Sequence, residues 1–108
     1  MDSFQKLISQ LAYRELDADN INFVGVSVDT SAINEIEIGV NVLSKQMDVA
    51  KAKCLILKVV QHCRLIGFFV EIVAFDVQYG DKVAYLSYIP EDDQFYFEKH
   101  SKMPEVCL

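Results

Sequence analysis

A 22-residue stretch, residues 45–66, constrains the fold of this chain more than any other feature. One stripe of it carries apolar residues at helical spacing: Val49, Ala52, Ile56, Val59, Val60, Cys63 and Ile66. Gly67 follows directly, and glycine commonly ends a helix because it adopts positive φ without steric cost. The pattern predicts a helix over residues 45–66 with Ser44 as its N-cap. Its apolar arc is wider than packing on a sheet alone requires.

Strand patterns on both sides of this helix predict two hairpins, over residues 21–42 and 68–89. Residues 34–42 alternate between apolar and polar side chains, which predicts a strand with one buried face and one exposed face. Residues 21–28 have two partly apolar faces, which favours an inner strand. Residues 68–79 are apolar on both faces, which is typical of a central strand or of one whose second face is covered by a partner.

Two further segments complete the predicted order. Apolar residues at i, i+3, i+4 and i+7 predict an amphipathic helix over residues 3–16, and residues 94–108 form a short strand or loop and a tail. The order α-β-β-α-β-β, with an optional fifth strand, predicts one α+β domain over residues 1–108. We expect a mainly antiparallel sheet of four to five strands with two helices packed on one face. The sequence leaves the order of the strands open.

The charge of the chain excludes some classes of partner. Its 16 acidic and 10 basic residues give a net charge of −6. Proteins that bind nucleic acid through phosphate contacts need clustered lysine and arginine, so we expect no direct nucleic-acid binding. An acidic chain is also disfavoured at an anionic membrane surface, and no apolar run approaches the length of a membrane span.

No motif in the chain predicts a cofactor, a metal site or a catalytic residue. The histidines and cysteines lack zinc-site spacing, and the four glycines are isolated rather than grouped in a phosphate-binding loop. Cys63 lies on the apolar stripe, about 100° around the helix from His62, which predicts a buried cysteine rather than a nucleophile. The odd number of cysteines, three, and an N-terminus without a signal-peptide pattern predict a cytoplasmic location.

Seven residues are candidates for an interaction or ligand surface. Glu71 and Asp76 are carboxylates on opposite faces of the otherwise apolar segment 68–79, so each must be paired, exposed or functional. The others are tyrosines of the second hairpin and glutamates on the exposed face of the first: Tyr79, Tyr85, Tyr88, Glu35 and Glu37. Tyrosine is enriched at interfaces because its ring packs while its hydroxyl stays hydrated.

Three functions remain open on these residues. The first is a small acidic protein-interaction domain, such as an adaptor, an inhibitor or a chaperone-like protein, that self-associates as a homodimer. The second is a small-molecule-binding domain or minor enzyme, with Glu71 or Asp76 in a pocket between sheet and helices. The third is an acidic decoy for a basic nucleic-acid-binding protein, with Glu35, Glu37 and residues 91–93 on one continuous face.

The element order, small size and acidity of the chain are similar in outline to those of secretion chaperones. That resemblance implies a protein partner and a dimer. The C-terminal helix expected of such a chaperone has no counterpart in the pattern of residues 94–108.

Overall fold

The computed structural model describes residues 3–44, 48–80 and 82–101 of the chain. Two helices and five strands follow one another as α1 (Ser3–Leu16), β1 (Ile21–Asp29), β2 (Glu35–Val42), α2 (Val49–Leu65), β3 (Ile72–Tyr79), β4 (Lys82–Ile89) and β5 (Gln94–Ser101). The five strands form one sheet in the order β1-β2-β3-β4-β5. This architecture confirms the predicted α+β fold.

The sheet is antiparallel at three of its four strand pairs. Only β2 and β3 run parallel, and α2 makes the crossover between them, as parallel neighbours require a long connection. β3 therefore occupies the centre of the sheet, which confirms the prediction from its two apolar faces.

Both helices pack on the same face of the sheet. The inward stripe of α1 supplies Ile8, Ala12 and Leu16 to a single core. α2 supplies most residues of its predicted apolar stripe, among them Ile56, Val59 and Cys63. Ile66 is exposed just after the end of the helix, so its assignment to the stripe was wrong. Alternate residues of the strands complete this core: Ile36, Ile38, Val40, Val42, Val73, Phe75, Val77, Ala84, Leu86 and Tyr88.

The central helix is shorter at its start than the sequence predicts. α2 begins at Val49 because Asp48 is its N-cap, and the Asp48 carboxylate accepts a hydrogen bond from the backbone N–H of Lys51. The prediction of Ser44 as the N-cap was therefore wrong, and residues 45–47 lie outside the described residues. At the other end Gly67 has φ of +80°, as the prediction requires.

β1 lies at an edge of the sheet, so the prediction of an inner strand was wrong. The register of β1 against β2 shifts between Phe23 and Gly25, where β1 carries one extra residue. Such a bulge reverses the alternation of side chains along a strand. Phe23 lies on the helix side before the bulge and Val26 on the same side after it, because their partners Val40 and Ile38 are both core residues. In the sequence, the single buried face of β1 therefore looks like two partly apolar faces.

The last two strands differ from the prediction at their outer ends. β3 begins at Ile72, so residues 68–71 form the connection from α2 rather than the first part of a strand. β5 is a complete strand over Gln94–Ser101, and residues 102–108 lie outside the described part of the chain.

Candidate interaction site on the open sheet face

One face of the five-stranded sheet has no helix packed on it in the described residues. We call it the open face. Its central cross-strand row runs from Gly39 on β2 to Asp76 on β3 and Tyr85 on β4, and continues to Glu98 on β5. Its other rows hold the residues two positions away on each strand, because side chains alternate between faces.

The open face collects four of the seven residues predicted for an interaction surface. Asp76 and Tyr85 are direct cross-strand partners, and Glu35 and Glu37 occupy the same face on β2. Glu37 also borders the hollow that contains Asp76. The first hairpin and the second therefore contribute to one surface.

Tyr79 and Tyr88 lie on the opposite face and belong to the core. The hydroxyl of Tyr88 donates a hydrogen bond to Oδ1 of Asp93 at 2.6 Å, and this bond, with burial, raises the pKa of Tyr88. The bond ties β4 to the turn before β5. Neither tyrosine presents enough surface to contact a partner, and the site does not include them.

Glu71 joins two connections of the fold. Its carboxylate accepts a hydrogen bond from the backbone N–H of Asn34 at 3.1 Å, and its own N–H donates to the Asn34 carbonyl at 2.8 Å. The side chain of Asn34 in turn donates to the carbonyl of Phe69 at 2.8 Å. These bonds fix the start of β2 against the start of β3, so Glu71 has a structural partner and lies before β3 rather than within it.

A hollow opens beside Gly39, where β2 has no side chain. Gly39 faces Asp76 across β2 and β3, and Gly25 faces Gly39 across the bulge. The hollow has a volume of about 340 Å³, and its lining is Gln5, Val24, Gly25, Val26, Ser27, Glu37, Gly39 and Asp76. A Cβ atom on Gly39 would lie 3.6 Å from Cβ of Val24, which is an ordinary contact. The fold therefore has room for a side chain at this position, and glycine is not needed there to avoid a clash.

Asp76 is the electrostatic anomaly of this face. Its Oδ1 atom is buried and accepts no hydrogen bond, whereas buried polar atoms are paired in the great majority of cases. Burial disfavours the charged form and raises the pKa of the Asp76 carboxyl above 3.8. The carboxyl therefore has an unmet demand for a hydrogen-bond donor or a positive charge.

Charge is segregated between the two sides of the molecule. The open face carries five carboxylates: Asp29, Glu35, Glu37, Asp76 and Glu98. Lys82 is the register partner of Tyr79, which belongs to the helix-facing side. The helices carry the opposite sign, with six basic residues and only Glu15 as an acidic one. A face of one charge sign attracts ligands of the other sign.

The other chemically versatile groups do not assemble into a site. Within the described residues, no three histidine, cysteine, aspartate or glutamate side chains lie close enough together to hold a metal ion. Cys63 is buried as predicted, and burial raises the pKa of its thiol. Neither helix of the described chain has the length and apolar character needed to cross a membrane.

Sequence reasoning missed the residues that shape the hollow. The alternation in residues 34–42 predicts an exposed face for this strand and does not mark Gly39 as the floor of a hollow. The available signal was Gly39 itself, because glycine inside a cleanly alternating strand often marks a bulge or a close approach.

Comparisons with protein-family models, with curated proteins and with solved structures each found no match. The geometry and charge of the chain itself are therefore the basis for a proposed function.

Proposed function

We propose that this chain is a small protein-interaction domain that binds a basic segment of a partner protein on its open face. The observation that carries the proposal is the charge of that face, which holds five carboxylates and no lysine or arginine among the side chains that the structure describes. Complementary charge raises the rate of encounter and selects among partners.

Exposed aromatic residues supply the apolar part of such an interface. Tyr85 and Tyr96, on neighbouring strands of the open face, are 41% and 51% exposed. A tyrosine ring offers a large contact area at a small cost in conformational entropy, and it packs well on the methylene groups or guanidinium of basic side chains. The face thus combines carboxylates for charge recognition with rings for contact.

The geometry favours this function over a ligand pocket between sheet and helices. Asp76 lies on the face away from the helices, and Glu71 lies in a connection with Asn34 as its partner. Tyr79 and Tyr88, on the helix side, pack in the core. Asp76, Glu71 and the two core tyrosines therefore lie in three different places and do not converge on one pocket.

A decoy that imitates nucleic acid receives partial support from the same charges. Glu35 and Glu37 lie on the open face, but the run at 91–93 occupies the turn after β4, and the carboxylate of Asp93 is engaged by Tyr88. The acidic surface is therefore a sheet face with aromatic residues rather than a continuous row of carboxylates. Such a face suits a folded or extended protein segment.

The proposal is tested with a fluorescein-labelled hexa-arginine peptide as the probe of basic segments. Binding is measured by fluorescence anisotropy for the wild type, for Glu35→Gln/Glu37→Gln on the open face, and for Glu91→Gln/Asp92→Asn in the turn. Both double variants remove two negative charges. We expect the open-face variant alone to lose affinity several-fold, and we expect wild-type binding to weaken with added salt. Equal effects of the two variants would overturn the proposal.

Self-association has a separate candidate surface at one end of the molecule. Leu65 and Phe69 are 79% and 68% exposed. They adjoin a hollow with an apolar lining of Phe4, Val28, Ile66 and Phe68. Contiguous exposed apolar side chains commonly mark an interaction surface, so we assign this end, rather than the open face, to the contact between two copies of the chain.

A further inference from the structure

We propose that the hollow above Gly39 is a recognition pocket for one cationic side chain, an arginine or lysine of the basic partner, with Asp76 as its counter-ion. This inference rests on the proposed function and specifies where on the open face the partner's charge is recognised. Most carboxylates of that face are broadly exposed, whereas Asp76 lies at the side of a concave space.

The shape of the hollow suits a single side chain. Gly39 forms its floor beside Asp76, and Val24 and Glu37 border it. Because Gly39 has no side chain, the space beside Val24 and Asp76 stays open, whereas the position of Gly25 is covered by Gln5, whose Nε2 would lie 3.2 Å from a Cβ atom there. A volume of about 340 Å³ accommodates the end of an arginine or lysine together with part of its methylene chain.

The electrostatics of the hollow call for a cation. No described lysine or arginine forms an ion pair with Asp76, and the Oδ1 atom of Asp76 has no hydrogen-bond donor. A cation in the hollow compensates the carboxylate as a whole, because the negative charge is shared by its two oxygens. Glu37 adds a second negative charge at the rim.

Arginine fits this arrangement better than lysine. Its planar guanidinium donates two parallel hydrogen bonds to one carboxylate, and it sheds water more readily than an ammonium group. A guanidinium that pairs with Asp76 also lies one strand from the ring of Tyr85, the cross-strand partner of Asp76. We therefore expect arginine to bind more tightly than lysine.

The test uses three short peptides as probes: Ac-Gly-Arg-Gly-NH₂, the corresponding lysine peptide, and the citrulline peptide, which matches arginine in shape but has no charge. Amide and methyl NMR signals of the full chain are followed during titration of each. We expect the arginine peptide to shift the signals of Val24, Gly39 and Asp76, and the citrulline peptide to leave them unchanged.

Variants separate the pocket from the face as a whole. Asp76→Asn removes the charge, Gly39→Val fills the floor, and Glu91→Gln removes one charge from the distant turn. We expect the first two to weaken arginine-peptide binding about tenfold or more, since charge-assisted bonds are the strong ones, and Glu91→Gln to have no effect. The dispersion of the amide signals shows whether each variant is folded. If Gly39→Val does not fold, the binding measured for Asp76→Asn alone decides whether the pocket exists.

Three results would overturn the pocket: no binding of the arginine peptide, equal binding of the citrulline peptide, or unchanged binding by Asp76→Asn. If hexa-arginine still depends on Glu35 and Glu37 in that case, the open face binds basic segments and only the pocket is wrong. If hexa-arginine shows no such dependence while the pocket variants fail as well, both proposals fall.

Discussion

At the residue scale, the half-buried polar groups around the apolar core are paired, and Asp76 departs from that rule. Glu71 has a backbone donor and Tyr88 has Asp93, so each of these buried or half-buried groups stabilises the fold. The carboxyl of Asp76 has a buried oxygen without a partner, and this costs stability. Unmet polar groups that persist in a fold commonly mark a functional position.

The variant Asp76→Asn should be more stable than the wild type at pH 7, by about 1 kcal/mol, because it removes a desolvated charge. The folded-state pKa of Asp76 is raised, so the native state binds the proton more tightly than the unfolded state. The wild type therefore loses stability as the pH rises from about 3.8 through the folded-state pKa. Urea unfolding of both proteins at pH 7 and near pH 3.5 checks this, and the advantage of the variant should disappear at the lower pH.

A destabilised Asp76→Asn protein at pH 7 would contradict this account of the residue, because it would reveal a partner for the carboxylate. Glu91→Gln, in the exposed turn, is the control for the loss of one negative charge.

The variant Glu71→Ala should lower the free energy of unfolding by about 1 kcal/mol, because it leaves the half-buried N–H of Asn34 without its acceptor. Glu71→Gln keeps an acceptor oxygen in the same place and should lose less. Urea unfolding of the three proteins checks the order. Equal stability of the alanine and glutamine variants would show that the hydrogen bond contributes nothing.

At the element scale, local sequence signals decide where each helix and strand begins. Asp48 caps the start of α2 by accepting a hydrogen bond from the backbone N–H of Lys51. The extra residue near Gly25 reverses which side chains of β1 face the core from that point on. Both features reposition side chains that the hydrophobic pattern alone assigns differently. The open face depends on the bulge, because Val24 lies beside Gly39 only after the register has shifted.

The variant Asp48→Ala should destabilise the protein by about 1 kcal/mol, because it leaves an N–H in the first turn of α2 without its acceptor. Asp48→Asn retains a capping oxygen and serves as the matched control. Thermal unfolding followed by circular dichroism checks both. An alanine variant as stable as the asparagine variant would place the start of the helix elsewhere.

The sequence predicts the fold well because the fold depends on periodicity. The alternation in residues 34–42 and the helical stripe that includes Ile56 and Cys63 correctly separate buried from exposed positions. The order of the strands depends on which edges meet in three dimensions, and a single pattern along the chain carries no such information. The site was predictable in part for the same reason. The alternation of side chains along β3 places Asp76 on the face away from the core. Only the register of the neighbouring strands, which the sequence does not give, brings it beside Gly39 and Tyr85.

At the scale of the whole molecule, three surfaces have different characters. The open face is acidic, the helices carry mostly basic charges, and the end near Leu65 and Phe69 is apolar. The proposed binding of a basic partner and the proposed contact with a second copy use separate surfaces, so the two are compatible. The net charge of −6 favours the solubility of the free protein.

The mass of the protein in solution tests the apolar end. Light scattering behind size exclusion, over a hundredfold range of concentration, should give twice 12.3 kDa for the wild type and the monomer mass for Leu65→Ser/Phe69→Ser. Leu43→Ser is the control, because Leu43 is 67% exposed at the opposite end of the sheet. A wild type that remains monomeric at all concentrations would contradict self-association.

A methyl NMR map of hexa-arginine binding shows directly whether the open face binds a basic segment. The methyl signals of Val24, Ile72 and Ile89, on the open face, should shift in a saturable way. The signals of Leu57 and Leu65, exposed on α2, should stay in place. Shifts that follow the exposed acidic turn or the surface of α2 instead would contradict the claim that the open face binds the partner.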